Sequence, residues 1–149
     1  MGTIRPATPR DHPAIFRLVR NELVPRSSLP APSPARLRRD LAARLGRGAT
    51  FVADSPRMPV AGFVHLETRG ATLFVDLLAV DPGERNRGCG GALMRLAERY
   101  GLERGCREIR LFVDERNAPA QRFYRRLGYW PLRRVAPLRV VEMYKPLFM

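Results

Sequence analysis

The segment that most constrains the fold is an almost wholly apolar stretch, Thr72–Val80 (TLFVDLLAV), which runs directly into Asp81-Pro82. Stretches of this kind form strands that are buried on both faces, so we expect it at the centre of a sheet. A glycine-rich turn at residues 85–91 (RNRGCGG) and a helical pattern follow it. A strand, a glycine turn and a helix in this order direct several backbone N–H groups at one place, which predicts a phosphate or pyrophosphate site.

The composition of this turn narrows the class of ligand. It lacks the Lys-Ser/Thr pair of a P-loop and the GxGxxG spacing of a dinucleotide fold, which argues against a nucleotide triphosphatase. A plain strand-to-helix turn is the simpler alternative, but it needs one or two glycines and no basic residue. Gly88, Gly90 and Gly91 would instead let a ligand touch the backbone.

The rest of the chain alternates between strand and helix patterns. Strands are predicted at residues 4–5, 50–53, 60–68, 109–113, 129–135 and 140–144, and helices after Thr8, after Ser33, after the glycine turn and after Asn117. The length of 149 residues suits one domain. We therefore expect a single domain over residues 1–149, of the α/β (α+β) class with a mixed sheet.

Two motifs in a fixed order carry a resemblance to a known family. Residues 78–90 (LAVDPGERNRGCG) precede residues 117–129 (NAPAQRFYRRLGY), and the chain opens with Ile4-Arg5-Pro6-Ala7. In this order they resemble the GNAT superfamily of acyl-CoA-dependent N-acetyltransferases, over nearly the whole chain. The resemblance implies acetyl-CoA as the acyl donor and a mostly antiparallel sheet, splayed at its centre and flanked by about four helices.

The resemblance also implies which residues bind the cofactor. The turn would wrap the pyrophosphate of acetyl-CoA with its amides, and the end of the central strand would bind the pantetheine arm and polarise the thioester carbonyl. Asn117 matches a position that contacts the pantetheine region, although a simple N-cap explains it too. The implied cofactor-binding residues are Leu78, Ala79, Val80, Arg85, Asn86, Arg87, Gly88, Cys89, Gly90, Gly91, Ala92 and Asn117.

Tyr124 matches the family tyrosine that protonates the departing CoA thiolate. A thiol of pKa ~8.5 leaves more easily when a proton donor lies within hydrogen-bond reach. The alternative is a tyrosine that only packs beside Phe123, as we expect of Tyr100. Cys89 is interpreted as a packing residue, so we expect no covalent enzyme intermediate and a direct transfer in a ternary complex.

The candidate general base is Asp76. An alkylammonium of pKa ~10.4 must lose a proton before it attacks, and many family members supply a carboxylate from this strand or the next parallel one. Phe74 and Phe112 stand where some relatives carry Glu, whereas Asp76 falls at another commonly acidic position. A carboxylate within an apolar strand is costly unless it is paired or faces a cleft, so a salt bridge to an arginine is the alternative. His65, Glu67 and a water chain are the other candidates.

Two further function classes stay open, one raised by the charge balance and one by the undecided choice of general base. The chain has 27 basic and 14 acidic side chains, a net charge of +13, and the arginines are spread along its whole length. A nucleic-acid-binding module would place aromatics within a basic groove, but Phe and Tyr here fall mostly at apolar positions, so no specific nucleic acid is expected. The third class is a non-catalytic acetyl-CoA sensor.

Location and partners follow from what the sequence lacks. Cys89 and Cys106 show no disulfide or metal spacing, so no metal is expected. No apolar run reaches the ~18 residues of a membrane span, and the first residues lack the apolar core of a signal peptide, so we expect a cytoplasmic protein.

The acceptor, an unidentified primary amine, is expected near residues 24–34 and 133–137. The oligomeric state stays open, a homodimer included.

Overall fold

The computed structural model describes residues 2–148 and contains a seven-stranded sheet flanked by four α-helices. The strands are β1 (Ile4–Pro6), β2 (Ala49–Ser55), β3 (Met58–Arg69), β4 (Thr72–Val80), β5 (Glu108–Asp114), β6 (Trp130–Val135) and β7 (Val140–Pro146). The helices are α1 (His12–Leu18), α2 (Pro34–Leu45), α3 (Cys89–Glu103) and α4 (Ala118–Arg126). Within this part of the chain, no helix has the length and hydrophobicity needed to cross a bilayer.

The sheet is mixed and mostly antiparallel, as predicted. Its strand order is β1-β2-β3-β4-β5-β7-β6, which places β4 in the middle, and only β4 and β5 run parallel. The β4–β5 ladder begins at Thr72↔Glu108 and ends at Val75↔Leu111. Beyond that pair the two strands part. The expected splay at the centre of the sheet is therefore confirmed, and it lies at the carboxyl end of β4.

Helices cover the two faces of the sheet unequally. Leu73 and Val75 of β4 pack with Leu93 of α3 on one face, while Phe63 of β3 packs with Ile15 of α1 on the other. The face that carries α1 and α2 is uncovered over β5. We call this region the open face; it presents Phe74, Asp76, Arg110 and Phe112.

The prediction that β4 is buried on both faces is wrong for part of the strand. Leu73, Val75 and Ala79 are buried, but Phe74 and Asp76 are only partly buried. The physical reason is that α1 and α2 pack over β2, β3 and the carboxyl end of β4, and neither helix reaches the space above β5. An apolar stretch cannot reveal this, because helix coverage depends on the rest of the chain.

The predicted start of the first helix is correct, and its acidic residue makes a strong ion pair. A 3₁₀ turn at Pro9–Asp11 leads into α1. Asp11, only 6% exposed, accepts hydrogen bonds from the Thr8 backbone N–H (2.8 Å) and from both terminal nitrogens of Arg5 (2.8 and 2.9 Å). The Arg5 hydrogen bonds lower the pKa of Asp11 to about 2.

This ion pair gives a stability change in acid. A carboxyl whose pKa is depressed by folding contributes stability above its unfolded value, and that contribution is lost as the pH falls through the folded pKa. We expect the pair to contribute about 1–2 kcal/mol, since the partly exposed Arg5 is screened by solvent, and to lose this between about pH 5 and pH 2. Urea unfolding of the wild type and Asp11→Asn across this range measures it. Identical pH slopes for the two proteins would contradict the assignment.

Candidate active site

A cavity of about 600 Å³ lies beside the point where β4 and β5 part. It lies among the end of β4, the glycine turn, the end of the first helix and α4. Tyr124 and ten of the twelve predicted cofactor residues line it: Leu78, Ala79, Val80, Arg85, Asn86, Gly88, Cys89, Gly90, Gly91 and Asn117. Arg87, Ala92 and Asp76 do not line this cavity.

The glycine turn ends in a helix N-terminus that faces the cavity. Gly88 is the N-cap of α3 with φ +83°, in the left-handed region that glycine adopts most easily. A Cβ at Gly90 would lie 3.1 Å from the Phe123 ring, so glycine here lets α3 and α4 approach each other. At Gly91 a Cβ would meet only the end of the Arg95 side chain, at 3.4 Å. The first-turn amides of α3 have no intrahelical partners, so this end of the cavity fits an anionic phosphate group.

The end of the first helix supplies residues that sequence reasoning missed. A π-helical turn at Val19–Leu23 follows α1, and the nearly buried Glu22 in it accepts hydrogen bonds from Arg85 (2.6 Å) and Arg26 (3.3 Å). Glu22, Leu23 and Arg26 all line the cavity. No local pattern signals these contacts, because 63 positions separate Glu22 from Arg85.

Tyr124 lies on α4 with its ring buried against Phe123 (centroids 5.1 Å apart) and Tyr129 (5.9 Å), and it is 8% exposed. Burial raises the pKa of Tyr124, and no hydrogen bond within residues 2–148 contributes to this shift. Tyr129, by contrast, donates to Glu98 at 2.9 Å. The Tyr124 hydroxyl is therefore protonated at neutral pH and lies on a cavity wall, where it could donate to a ligand.

Asn117 and Cys89 also line the cavity. The Asn117 side chain accepts a hydrogen bond from the Ala120 N–H (3.3 Å). Asn117 is therefore the N-cap of α4, which is the simpler of the two roles expected for it. Its predicted contact with pantetheine stays a prediction. The Cys89 sulfur packs close to Gly62 of β3. Burial raises the pKa of the Cys89 thiol, which makes it a poor nucleophile at neutral pH.

Asp76 lies on the open face at a bulge in β4. His65 pairs with Leu77 and Leu66 with Val75, which leaves Asp76 as an extra residue without a direct partner in β3. Its carboxylate accepts two hydrogen bonds from Arg44 of α2, at 2.7 and 3.0 Å. Asp76 therefore forms the salt bridge to an arginine that was the alternative to a catalytic role. Its role as general base stays a prediction.

His65, beside Asp76, is completely buried. Its Nδ1 lies 2.7 Å from the Thr50 hydroxyl, and its Nε2 has no hydrogen-bond partner in the described part of the chain. That nitrogen is 3.8 Å from Glu67 and 3.9 Å from Asp76. Burial lowers the pKa of His65, so the ring is neutral near pH 7. The three side chains bring donor atoms of metal-binding type within 4.8 Å of one another, although Arg44 already occupies both oxygens of Asp76.

The two loops expected near the acceptor converge on one segment, residues 114–116, at the end of β5. The Ser28 hydroxyl and N–H both donate to Asp114 (hydroxyl 2.7 Å), and Arg116 donates to the Ser27 carbonyl. From the other side, Arg134 pairs with Glu115 at 2.6 Å. Both loops therefore border the splay.

These features define a mixed α/β protein whose central cleft lies between the N-terminus of α3 and the end of β4 beyond its last pair with β5. The model of the acetyltransferase (GNAT) family matches residues 16–129. The chain therefore belongs to the GNAT family of acetyltransferases, as the two motifs predict. Acetyl-CoA is the acyl donor of this family.

Three known proteins illustrate the relationship. The chain is 39% identical over 82 residues to streptothricin acetyltransferase of Streptomyces lavendulae (54% of this chain, 43% of that protein). It is 35% identical over 118 residues to mycothiol acetyltransferase of Clavibacter michiganensis subsp. michiganensis (79% and 34%). It thus spans less than half the length of either relative. A phosphinothricin acetyltransferase (Pat) from Sinorhizobium meliloti, solved in complex with AcCoA, shares the fold with a TM-score of 0.79 at 20% identity, over 98% of this chain and 88% of that one.

Proposed function

We propose that this chain is an N-acetyltransferase that passes an acetyl group from acetyl-CoA directly to a primary amine in a ternary complex. The observation that carries the proposal is a single cavity that combines three features: a helix N-terminus behind a glycine turn, the end of β4 beyond its last pair with β5, and the hydroxyl-bearing ring of Tyr124.

The two ends of the cavity bind different parts of the donor. The first-turn amides of α3 hold the pyrophosphate, because a helix N-terminus places positive charge at that end. Arg85, whose charge is shared with Glu22, lies beside them. Leu78, Ala79 and Val80 lie past the last β4–β5 pair, so their backbone groups on that edge are available to the amides of the pantetheine arm. This pairing carries the thioester toward the point where the strands separate.

The transfer itself needs one hydrogen-bond donor and three proton movements. A backbone N–H near Leu78 stabilises the developing oxyanion while the amine nitrogen forms a bond to the thioester carbon. When the carbon–sulfur bond breaks, Tyr124 gives its proton to the sulfur and CoA leaves as the thiol. The nitrogen of the new amide loses its second proton, which returns through water to the Tyr124 oxygen. Tyr124 is suited to this role because burial keeps it protonated until a thiolate forms beside it.

Asp76 receives the proton that the ammonium acceptor must lose, through bound water, since its side chain does not line the cavity. We expect Asp76→Asn to lower kcat by about 10²-fold near pH 7. The loss should shrink as the pH approaches the pKa of the amine, because the substrate then arrives deprotonated. Glu67→Gln, which changes a neighbouring carboxylate in the same way, is the control and should stay within about threefold. A kcat for Asp76→Asn that matches the wild type at every pH excludes this role.

The experiment that tests the proposed function is an acceptor screen. CoA thiol release is measured with the purified chain and acetyl-CoA across primary amines, amino acids, peptides and streptothricin, for which one relative is named. Amine-dependent release, with the acetylated product identified by mass spectrometry, supports the proposal. Binding of acetyl-CoA without release from any acceptor would instead support the sensor alternative.

A further inference from the structure

We propose that the amine acceptor carries an aromatic ring, and that Phe74 and Phe112 on the open face form the surface that binds it. This inference rests on the proposed function and adds a substrate class to it. Phe74 and Phe112 lie on neighbouring strands with their rings nearly parallel, at an interplanar angle of 6° and a centroid distance of 6.4 Å. The two rings form one stacked aromatic pair, of which Phe112 is the more exposed member.

The position of the pair links it to the chemistry. Val75↔Leu111 is the last pair of the β4–β5 ladder, so Asp76 and Phe112 are the first residues after the strands part. Neighbouring strands lie about 4.8 Å apart, and residues two positions apart on one strand share a face. Phe74, Asp76 and Phe112 therefore lie together on the open face where β4 and β5 part, just outside the residues that line the cavity. A ring bound against Phe112 would leave an amine on a short linker beside Asp76.

Exposure argues that the pair has a role beyond packing. Phe112 is 48% exposed, whereas its neighbours Leu111 and Val113 are 1% and 5% exposed and belong to the core. The guanidinium of Arg69 lies over the Phe74 ring at 5.2 Å, which leaves Phe112 as the more accessible of the two. A half-exposed phenylalanine beside the point where two strands part buries further apolar area when an aromatic ligand packs against it.

The surrounding charges favour a ring over a second cation at this surface. Arg69 already lies over Phe74, and Arg110 of the same face pairs with Glu108 (2.8 Å) and contacts Glu142 (3.5 Å). Glu142, which lies opposite Phe112 in β7 and is 2% exposed, also pairs with Arg133 at 2.8 Å. The carboxylates beside Phe112 are thus satisfied by arginines, so the contact that Phe112 itself offers is apolar and aromatic.

The test compares two acceptors that differ only in their ring. 2-Phenylethylamine and 2-cyclohexylethylamine have the same linker and carbon count, and kcat/KM for each is measured by CoA thiol release. We expect the aromatic amine to be preferred by about 2- to 12-fold, the range that aromatic pairing adds to simple burial. Phe112→Leu, which stays apolar but removes the ring, should bring this ratio to about one. Phe148→Leu, the same change at a residue that is 80% exposed, should leave the ratio unchanged.

The outcomes separate this inference from the proposed function. A wild-type ratio near one, or a ratio that Phe112→Leu leaves unchanged, overturns the aromatic surface while thiol release still supports the acetyltransferase. No thiol release from any amine overturns the proposed function, and this inference with it. Circular dichroism and thermal melting of both leucine variants establish that a changed ratio comes from a folded protein.

Discussion

Tyr124→Phe is expected to lower kcat by about 10²-fold or more, the scale of a lost general acid, while KM for acetyl-CoA changes by less than about threefold. The substitution removes only the hydroxyl, so the packing of the ring against Phe123 and Tyr129 is kept. The free energy of unfolding should change by less than about 0.5 kcal/mol, since no hydrogen bond within the described residues is broken.

Tyr129→Phe is the matched control, because it makes the same change on the neighbouring ring. Tyr129 donates to the Glu98 carboxylate at 2.9 Å, and a hydrogen bond to a charged group contributes about 1.5–3 kcal/mol. We therefore expect this variant to lose stability and keep its turnover, the reverse of Tyr124→Phe. Turnover by thiol release and stability by urea unfolding are measured on both. Full turnover in Tyr124→Phe would remove Tyr124 as the acid.

The central strand and the glycine turn could be predicted because their signals are local. The bounds Thr72–Val80 are those of β4 itself, since nine consecutive, mostly apolar residues bounded by Asp-Pro leave few other structures. Gly128, just past the end of α4, adopts positive φ, as glycines after a helix usually do, and Gly88 at the start of α3 adopts the left-handed conformation that glycine tolerates best. The GNAT motifs depend on the same local features, which is why the fold and most of the cavity lining follow from them.

The contacts that decide the electrostatics of the site could not be predicted. Glu22 and Arg85 are 63 positions apart, and Arg44 and Asp76 are 32 apart. With 27 basic side chains in the sequence, nothing identifies which arginine pairs with which acid. The bulge that leaves Asp76 without a direct partner depends on the register of β3 against β4. A single strand sequence does not contain that register.

The open face could not be predicted from the sequence either. The sequence shows Phe74 and Phe112 only as apolar residues, and periodicity alone would place them in a core. Their exposure results from α1 and α2 ending over β4 and from loops that meet at residues 114–116 instead of covering β5. The exposure of such side chains depends on whether a helix or a loop packs over the strand, and no local sequence pattern encodes that.

Gly91→Glu is expected to abolish acetyl-CoA binding while the fold remains intact. Gly91 is the third residue of α3, and its Cβ direction is open except for the end of Arg95, so a side chain fits without backbone strain. An acid in the first turn of a helix is favourable for the helix dipole, so stability should be unchanged or rise slightly. The same carboxylate would lie where the proposed pyrophosphate binds.

The size of this effect follows from charge repulsion. Two unit charges about 4 Å apart near a protein surface interact by about 4 kcal/mol, and even half of that raises Kd roughly 30-fold. Since the pyrophosphate carries more than one charge, we expect Kd for acetyl-CoA to rise by at least about 100-fold relative to Gly91→Gln, which has the same shape and no charge. Calorimetry at low and high salt measures both variants, and the difference should shrink with salt because screening weakens the repulsion. If Gly91→Glu and Gly91→Gln bind acetyl-CoA equally, the pyrophosphate does not lie at the N-terminus of α3, and the proposed orientation of the donor along β4 must be abandoned.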